Sequence, residues 1–291
     1  MEHFDLKVDE KKVIARLKGG LGNQLFIYAA AKALATHIGA ELSLDVTSGF
    51  KYDYTYKRVP LLKAYNVKFR YASAWESMIG PIGRVRRTLR RASARLVAPE
   101  RRSYIEEGSE NQLNDSLFQQ ASKNIYLDGY WQREEYFHDI APVLLKELGS
   151  LRELKSEDQE VSQKIDAFDS IGVHVRTYAE IPHPADRRLA ARAGFISEAV
   201  AALRVRFPSA QIFVFSDDID WVRRECSLPE FYAVTHNHRL GNDGAAADMW
   251  LLSRCRHFVL SNSTFGWWAA WLAKKGCGNG LARQPCEQIV I

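Results

Sequence analysis

The chain has no apolar run approaching the roughly 18 residues that a membrane-spanning helix requires. Its opening residues, Met1-Glu2-His3-Phe4-Asp5-Leu6-Lys7, lack the apolar stretch of a secretory signal. Both absences lead to the expectation of a cytoplasmic protein. Cysteine is scarce, with four residues at 226, 255, 277 and 286. None has the paired short spacing of a structural zinc site, and a chain of 291 residues does not need a disulfide scaffold. The thiols are therefore expected to be reduced and buried. Hydrophobic residues (46%) and charged residues (26%) stand close to the globular average, which excludes a mostly disordered, collagen-like or coiled-coil chain. The length fits one large domain or two ordinary ones.

The net charge of +5 is uneven. Residues 84–102 hold eight arginines and one glutamate, or +7, so the rest of the chain sums to −2. Basicity confined to one patch argues against a general nucleic-acid binder, and no nucleic-acid partner is expected. Within the patch, Ile82, Val85, Leu89, Ala92 and Leu96 recur at helical spacing. Such a stripe fits either a peripheral contact with an anionic membrane through 82–96, or a helix packed on its domain with arginines in water.

Strands and helices alternate. Val13–Leu17 reads as a strand, followed by a glycine turn, a buried alanine-rich helix to about Ile38 closed by Gly39, and a strand at Glu41–Asp45. This is the pattern of a parallel sheet with right-handed crossovers. After a less regular stretch, Ile125–Tyr130 reads as a strand and Glu134–Leu148 as a helix. Residues 149–166 are polar and read as a hinge. The pattern then restarts: strand Ile171–Val175, helix Asp186–Phe207, strand Gln211–Phe215, a short helix to Cys226, helix Asp243–Cys255, strand His257–Leu260 and helix Thr264–Lys274. The expectation is an α/β protein of two Rossmann-like domains, 1–160 and 161–291, facing a cleft, with ligands at the carboxyl ends of strands.

Four stretches lie at such strand ends. Gly19-Gly20-Leu21-Gly22-Asn23-Gln24 lets the backbone turn sharply where a helix N-terminus favours an anion, although it is neither GxGxxG nor a P-loop. His174-Val175-Arg176 ends a strand, and its guanidinium suits a phosphate as well as it suits a salt bridge. Ser216-Asp217-Asp218 reads as a helix cap rather than a metal-binding pair. Ser261-Asn262-Ser263-Thr264-Phe265 offers phosphate ligands or an ordinary N-cap, and Trp267, Trp268 and Trp271 after it read as core. His236-Asn237-His238 lacks a third metal ligand. Together these point to a nucleotide-diphosphate ligand and leave its sugar open.

Gly19–Phe26, Gly129-Tyr130-Trp131-Gln132 with Tyr136-Phe137, His174-Val175-Arg176, and Asp248 through Ser261–Trp268 together resemble, in order along nearly the whole chain, the α-1,2-fucosyltransferases of glycosyltransferase family 11. The resemblance implies a GT-B fold and inverting transfer of L-fucose from GDP-β-L-fucose to a galactose hydroxyl of a glycan or lipid-linked oligosaccharide, as in bacterial surface polysaccharide synthesis. It implies no metal and no cofactor, and it places GDP on the second half and the acceptor on the first. By position, Arg176 meets the pyrophosphate, His174 and Asp248 lie near guanine and ribose, and Asn262, Ser263 and Thr264 take phosphate oxygens. Gly20, Gly22 and Asn23 approach the donor from the first half.

The family's second arginine and following acid are replaced here by Thr177 and Ala179, with Glu180 next. Glu180 is a candidate substitute for the catalytic acid, and Arg187, Arg188 or Arg239 for the missing arginine. The alternatives are a GT-B enzyme using another nucleotide sugar, or a relative that binds glycan or nucleotide without catalysis.

Overall fold

The structure, a computed structural model, describes residues 11–108, 116–181, 191–276 and 288–290. The chain divides into two compact units, the first formed by 1–60 and 67–142, the second by 61–66 and 143–291.

The first unit comprises β1 (Lys12–Arg16), α1 (Leu21–Ile38), β2 (Glu41–Asp45), β3 (Arg70–Tyr71), α2 (Gly80–Ala94), β4 (Tyr104–Glu106) and β5 (Asn124–Asp128). The five strands are all parallel, in the order β3-β2-β1-β5-β4. A parallel sheet is covered on both faces, so its central strands are unbroken apolar runs: Val13, Ile14 and Ala15 of β1, and Ile125, Tyr126 and Leu127 of β5, are all buried. Helix α1 can be buried on most sides because its alanines let neighbours approach closely. Gly39 closes it with φ 64°, a left-handed conformation that costs glycine little.

Helix α2 packs in an unusual sense. Gly83 is buried, and a Cβ there would stand 2.3 Å from the Met78 carbonyl oxygen. Arg86 lies over the Trp75 ring at 3.8 Å, and Ala94 packs on a cluster containing Met78, Tyr104 and Tyr126. The apolar stripe points the other way: Ile82, Val85 and Leu89 are 73%, 59% and 62% exposed, and Leu96 just beyond the helix is 89% exposed. The stripe is therefore not what seats the helix.

The second unit holds α3 (Ala141–Leu148, which begins two residues before the division), α4 (Ser156–Ala167), β6 (Ser170–Val175), α5 (Ala193–Arg206), β7 (Gln211–Ser216), α6 (Ile219–Glu225), β8 (Tyr232–Ala233), α7 (Ala245–Ser253), β9 (His257–Leu260), α8 (Thr264–Gly276) and β10 (Gln288–Val290). Its strands are again all parallel, in the order β10-β9-β6-β7-β8. Cys226 and Cys255 are buried free thiols, whereas Cys277 and Cys286 lie outside the described residues.

The short segment 61–66 joins this unit through its backbone. Arg152 N–H donates to Ala64 O at 2.9 Å, Asn66 N–H to Glu147 O at 3.1 Å, and the Arg152 Nε to Tyr65 O at 2.6 Å. The Tyr65 side chain is fully buried, with its hydroxyl 3.7 Å from Met249 Sδ.

Three sequence expectations differ from the fold. The helix expected over 186–207 starts, among the described residues, only at Ala193, with Arg192 extended before it. The helix expected over 134–148 is two 3₁₀ turns, Glu134–Tyr136 and His138–Ile140, followed by α3. A continuous helix would place the Pro142 ring against the His138 carbonyl, so the regular helix starts just before the proline. The polar hinge expected over 149–166 contains α4, whose narrow inner face is Asp158, Val161, Ser162 and Ile165. Two apolar anchors in twelve residues are too few to signal a helix.

Candidate active site

Both sheets change direction once. In the first, the chain runs outward from β1 through β2 to β3 and resumes on the other side with β4 and β5, so the switch lies between β1 and β5. In the second it lies between β6 and β9. The carboxyl ends of strands at such points splay their loops apart and leave room for a ligand.

At the second switch, three neighbouring strands supply the site. Register pairs His174 with Leu260 and Val175 with Ser216, so the loops after β6, β9 and β7 are adjacent. The Ser261 hydroxyl donates to the His174 carbonyl at 2.7 Å and accepts from the Arg176 backbone N–H at 2.9 Å, clipping the loop before α8 to the end of β6. The Arg176 guanidinium donates to Asp217 Oδ2 at 2.7 Å, pairs with Glu180, and lies over the Tyr178 ring at 4.7 Å. Asp217 also accepts the backbone N–H groups of Thr177 at 2.7 Å and Ala179 at 3.2 Å. Asp218 caps α6 by accepting from Trp221 N–H at 2.8 Å. The two neighbouring aspartates thus divide the work: one caps, as expected, and the other holds the arginine loop, which the sequence reading missed.

His174 sits beneath this loop. Its ring stacks on Phe265 with centroids 5.0 Å apart, and a Cβ on Gly266 would come within 3.2 Å of Nδ1. Burial, reinforced by the Arg176 charge, lowers its pKa to about 4, so it is neutral at pH 7. Asn262 is exposed, and Ser263 and Thr264 are half-buried at the start of α8. The Ser263 hydroxyl accepts from Phe265 N–H at 3.2 Å. Thr177 is buried. Arg187 and Arg188 lie outside the described residues, as does the side chain of Arg239.

Asp248, half-buried on α7, belongs to a separate network over the buried Asp158 and Asn237. The Asn237 amide donates to Asp248 Oδ1 at 2.9 Å and to Asp158 Oδ1 at 3.0 Å, and His236 Nε2 stands 2.6 Å from Asp158 Oδ1. Burial raises the Asp248 pKa to about 6, against the opposing effect of the Asn237 hydrogen bond and nearby histidines. Asp158 was hidden in the supposed hinge, and only the unusual His-Asn-His run hinted at this network. Among the described residues no group of three or more His, Cys, Asp or Glu is arranged to hold a metal ion.

At the first switch, Gly19 takes φ 76° and Gly20 is the N-cap of α1, with Gly22 buried in the first turn. The buried Gln24 amide donates to Gly19 O at 2.9 Å and Val59 O at 2.8 Å, so it is a brace for the turn. Asn23 Oδ1 accepts from Gln132 at 2.9 Å, joining the two sequence motifs of this half. Beside them, Asp128 accepts from Lys18 at 2.9 Å, Arg16 at 3.2 Å and the Tyr104 hydroxyl at 2.8 Å. Burial alone would raise its pKa, but the Lys18 and Arg16 charges prevail and hold it at about 2.

Two doubly wound units, each with an all-parallel sheet, are the architecture of the GT-B class of glycosyltransferases. The fold matches the crystal structure of the fucosyltransferase NodZ from Bradyrhizobium with a TM-score of 0.52 at 18% identity, over 91% of this chain and 94% of that one. The family model described as Glycosyl transferase family 11 matches residues 98–281, more than half of the sequence, and the chain belongs to this family. Its relatives include an alpha-1,2-colitosyltransferase of Escherichia coli, 26% identical over 94% of this chain and 91% of that protein. They also include the galactoside 2-alpha-L-fucosyltransferase Sec1 of Mus musculus, 24% identical over 88% of this chain and 63% of that protein.

Proposed function

We propose that this glycosyltransferase moves L-fucose from GDP-β-L-fucose to the 2-hydroxyl of a galactose in a glycan, with inversion to an α-1,2 linkage, in bacterial surface polysaccharide synthesis. The observation that carries the reading is the fixed guanidinium of Arg176 at the switch of the second sheet, clipped through Ser261 to the turn that starts α8. The acceptor oxygen attacks the anomeric carbon from the face opposite GDP. The bond from that carbon to the β-phosphate oxygen breaks, and its electron pair leaves with GDP. Arg176 and the N–H groups at the start of α8 meet the charge that develops there, which is commonly the largest catalytic contribution. The acceptor proton is lost late, to a phosphate oxygen.

Glu180, already on the Arg176 guanidinium, gives up that contact to the pyrophosphate and stands as the acid nearest the reacting groups. Asn262, Ser263 and Thr264 add polar groups for the phosphates. Asp248 accepts from the guanine N1 and N2 groups, and His174 supports the loop as a neutral, packed ring. On this reading the second unit holds GDP, the first presents the acceptor through the turn of Gly20, Gly22 and Asn23, and no metal is needed.

The similarity to a colitosyltransferase favours a second reading, in which the donor carries another sugar. A donor screen that includes a nucleotide-linked colitose beside GDP-fucose separates them: faster transfer of colitose than of fucose would favour the second reading. GDP-fucose should raise the melting temperature and release GDP when a galactoside is present; GDP-mannose, which carries the same nucleotide, should raise the melting temperature without releasing GDP, and UDP-sugars should do neither. A response to UDP-sugars alone would overturn the proposed donor.

No helix among the described residues is long and apolar enough to cross a membrane. The outward row of Ile82, Val85, Leu89 and Leu96, flanked by arginines, instead suits an anionic bilayer surface, where apolar side chains enter the boundary and guanidinium groups meet headgroups. Sedimentation with anionic vesicles, released by salt, is the expected result. Absence from that pellet would remove the membrane contact.

A further inference from the structure

The Asn237 amide bridges two acids of the second unit, and none of the roles above uses it. Its nitrogen stands 2.9 Å from Asp248 Oδ1 and 3.0 Å from Asp158 Oδ1, so its two hydrogens have acceptors on different helices. His236 Nε2 stands 2.6 Å from the same Asp158 oxygen. Asp158 belongs to the first turn of α4, where a helix N-terminus favours a carboxylate, and α4 packs on α7. Asp158 and Asn237 are 2% and 1% exposed, whereas Asp248 is half-buried and open to a ligand.

Both acids together orient the bridge. Asn237 Oδ1 is buried with no hydrogen-bond partner among the described residues. A buried oxygen left without a donor is costly. Turning the amide over would cost more, because that oxygen would face two carboxylates and both hydrogens would lose their acceptors. Without Asp158 the balance changes: the amide can turn its oxygen towards a donor and release Asp248. The backbone of Asn237 has no such freedom. A Cβ on Gly244, at the start of α7, would run into the Asn237 carbonyl oxygen, so the two segments lie in close contact.

The bond to Oδ1 sets the plane of the Asp248 carboxylate. A carboxylate that reads a guanine edge uses both oxygens, one on N1–H and one on the 2-amino group, so its plane matters as well as its charge.

We infer that Asp158 and Asn237 are positioning residues: by fixing the plane of the Asp248 carboxylate, they set the preference of the nucleotide site for a purine with a 2-amino group over one without. The inference rests on the proposed contact of Asp248 with guanine N1 and N2. Asp158, buried on a different helix, acts only through the amide.

Calorimetry on the full chain tests this with GDP and inosine diphosphate, which differ only in the 2-amino group. The parent should bind GDP at least about tenfold more tightly, the equivalent of one charge-assisted hydrogen bond. Asp158→Ala should bring that preference below about threefold. A ratio of two affinities measured on one protein cancels any change in the fraction folded. Asp158→Asn is the conservative variant. Both bonds to Asp158 end on Oδ1, so an amide oxygen placed there still accepts from Asn237 and His236. Its preference should stay within about twofold of the parent's. Should Asp158→Ala fail to fold, Asn237→Ser cuts the same chain from the other end, since one hydroxyl cannot donate to both acids, and the same loss is expected.

A role in stability alone would weaken both nucleotides alike and would not sort Asp158→Ala from Asp158→Asn. A preference kept in Asp158→Ala or in Asn237→Ser overturns the inference, as does a preference lost equally in Asp158→Asn. A parent that binds the two nucleotides equally overturns the proposed contact of Asp248 with the 2-amino group, and the inference with it. The parent alone therefore tells the two failures apart.

Discussion

Asp217 offers a sharp test of how the arginine loop is held. Its carboxylate takes three hydrogen bonds: from Arg176 Nη1 and Thr177 N–H, both at 2.7 Å, and from Ala179 N–H at 3.2 Å. Asp217→Asn keeps the shape but turns one oxygen into an NH₂ group. Oδ1 can still serve Thr177, whereas the new amide nitrogen must face Ala179 N–H and the guanidinium, which are both donors. At least one charge-assisted bond is lost, worth roughly 1.5–3 kcal/mol. If Arg176 is needed for the departing GDP, kcat/KM should fall roughly 10- to 150-fold, the rate equivalent of that energy. Partial melting of the loop should also lower the transition of the second unit by roughly 2–4 °C for each kcal/mol lost. A GDP-release assay across acceptor concentrations, with a thermal melt alongside, reads both quantities. Activity within threefold of the parent would refute the reasoning, because it would mean that Arg176 finds its place without Asp217 or is not needed there.

Arg176→Ala should reduce turnover by at least roughly 100-fold, and because it removes the same Asp217 pair while leaving the Thr177 and Ala179 N–H bonds in place, it should lower the melting temperature no more than Asp217→Asn does. Near-normal turnover would remove it from the mechanism. Turnover measured after dialysis against EDTA should match the untreated enzyme, and a loss restored by magnesium or manganese would show that the arginine and helix N-terminus are insufficient. Asp248 is ionised above its raised pKa of about 6. If it accepts from guanine, GDP affinity should weaken as pH falls below 6, by up to about tenfold per unit, and Asp248→Asn should flatten that profile. For stability the sign is opposite. The raised pKa favours the folded state fully below the ordinary value of 3.8, and that contribution is lost as pH rises through 6.

The sheets were legible because their central strands are buried on both faces and so read as short apolar runs between glycine, serine or aspartate turns. Val13–Ala15, Ile125–Leu127 and Ile171–Val175 could hardly be anything else in a chain of this length. The edge strands were not legible: β3 and β8 have two residues each, and their pairing comes from the sheet rather than from their own sequence. Helix α4 was hidden by polarity, and with it Asp158, the carboxylate beneath His236 and Asn237. At the site, strand-end position singled out Arg176 and Ser261–Thr264. Nothing local distinguished Asp217 from its neighbour Asp218, because a role set by a residue forty positions away leaves no trace in spacing. The apolar stripe of α2 was visible, but which way it faces was decided by Gly83, whose missing side chain lets the opposite side of the helix approach Met78.

The six residues 61–66 have consequences for how the protein is made. They leave the ribosome in the midst of the first unit, yet their backbone partners Glu147 and Arg152 follow some eighty residues later, and Met249 nearly two hundred later. Over that interval Leu62 and Tyr65 have no core to enter, so a sticky apolar stretch waits on the nascent chain while the unit around it can already close. The first unit can therefore fold early, whereas the second cannot finish until its own distant half has been synthesised. A chimera that exchanges the second units by a single cut near 143 would carry one protein's Tyr65 into another protein's pocket. Exchange at two points, with 61–66 travelling together with 143–291, keeps each core whole.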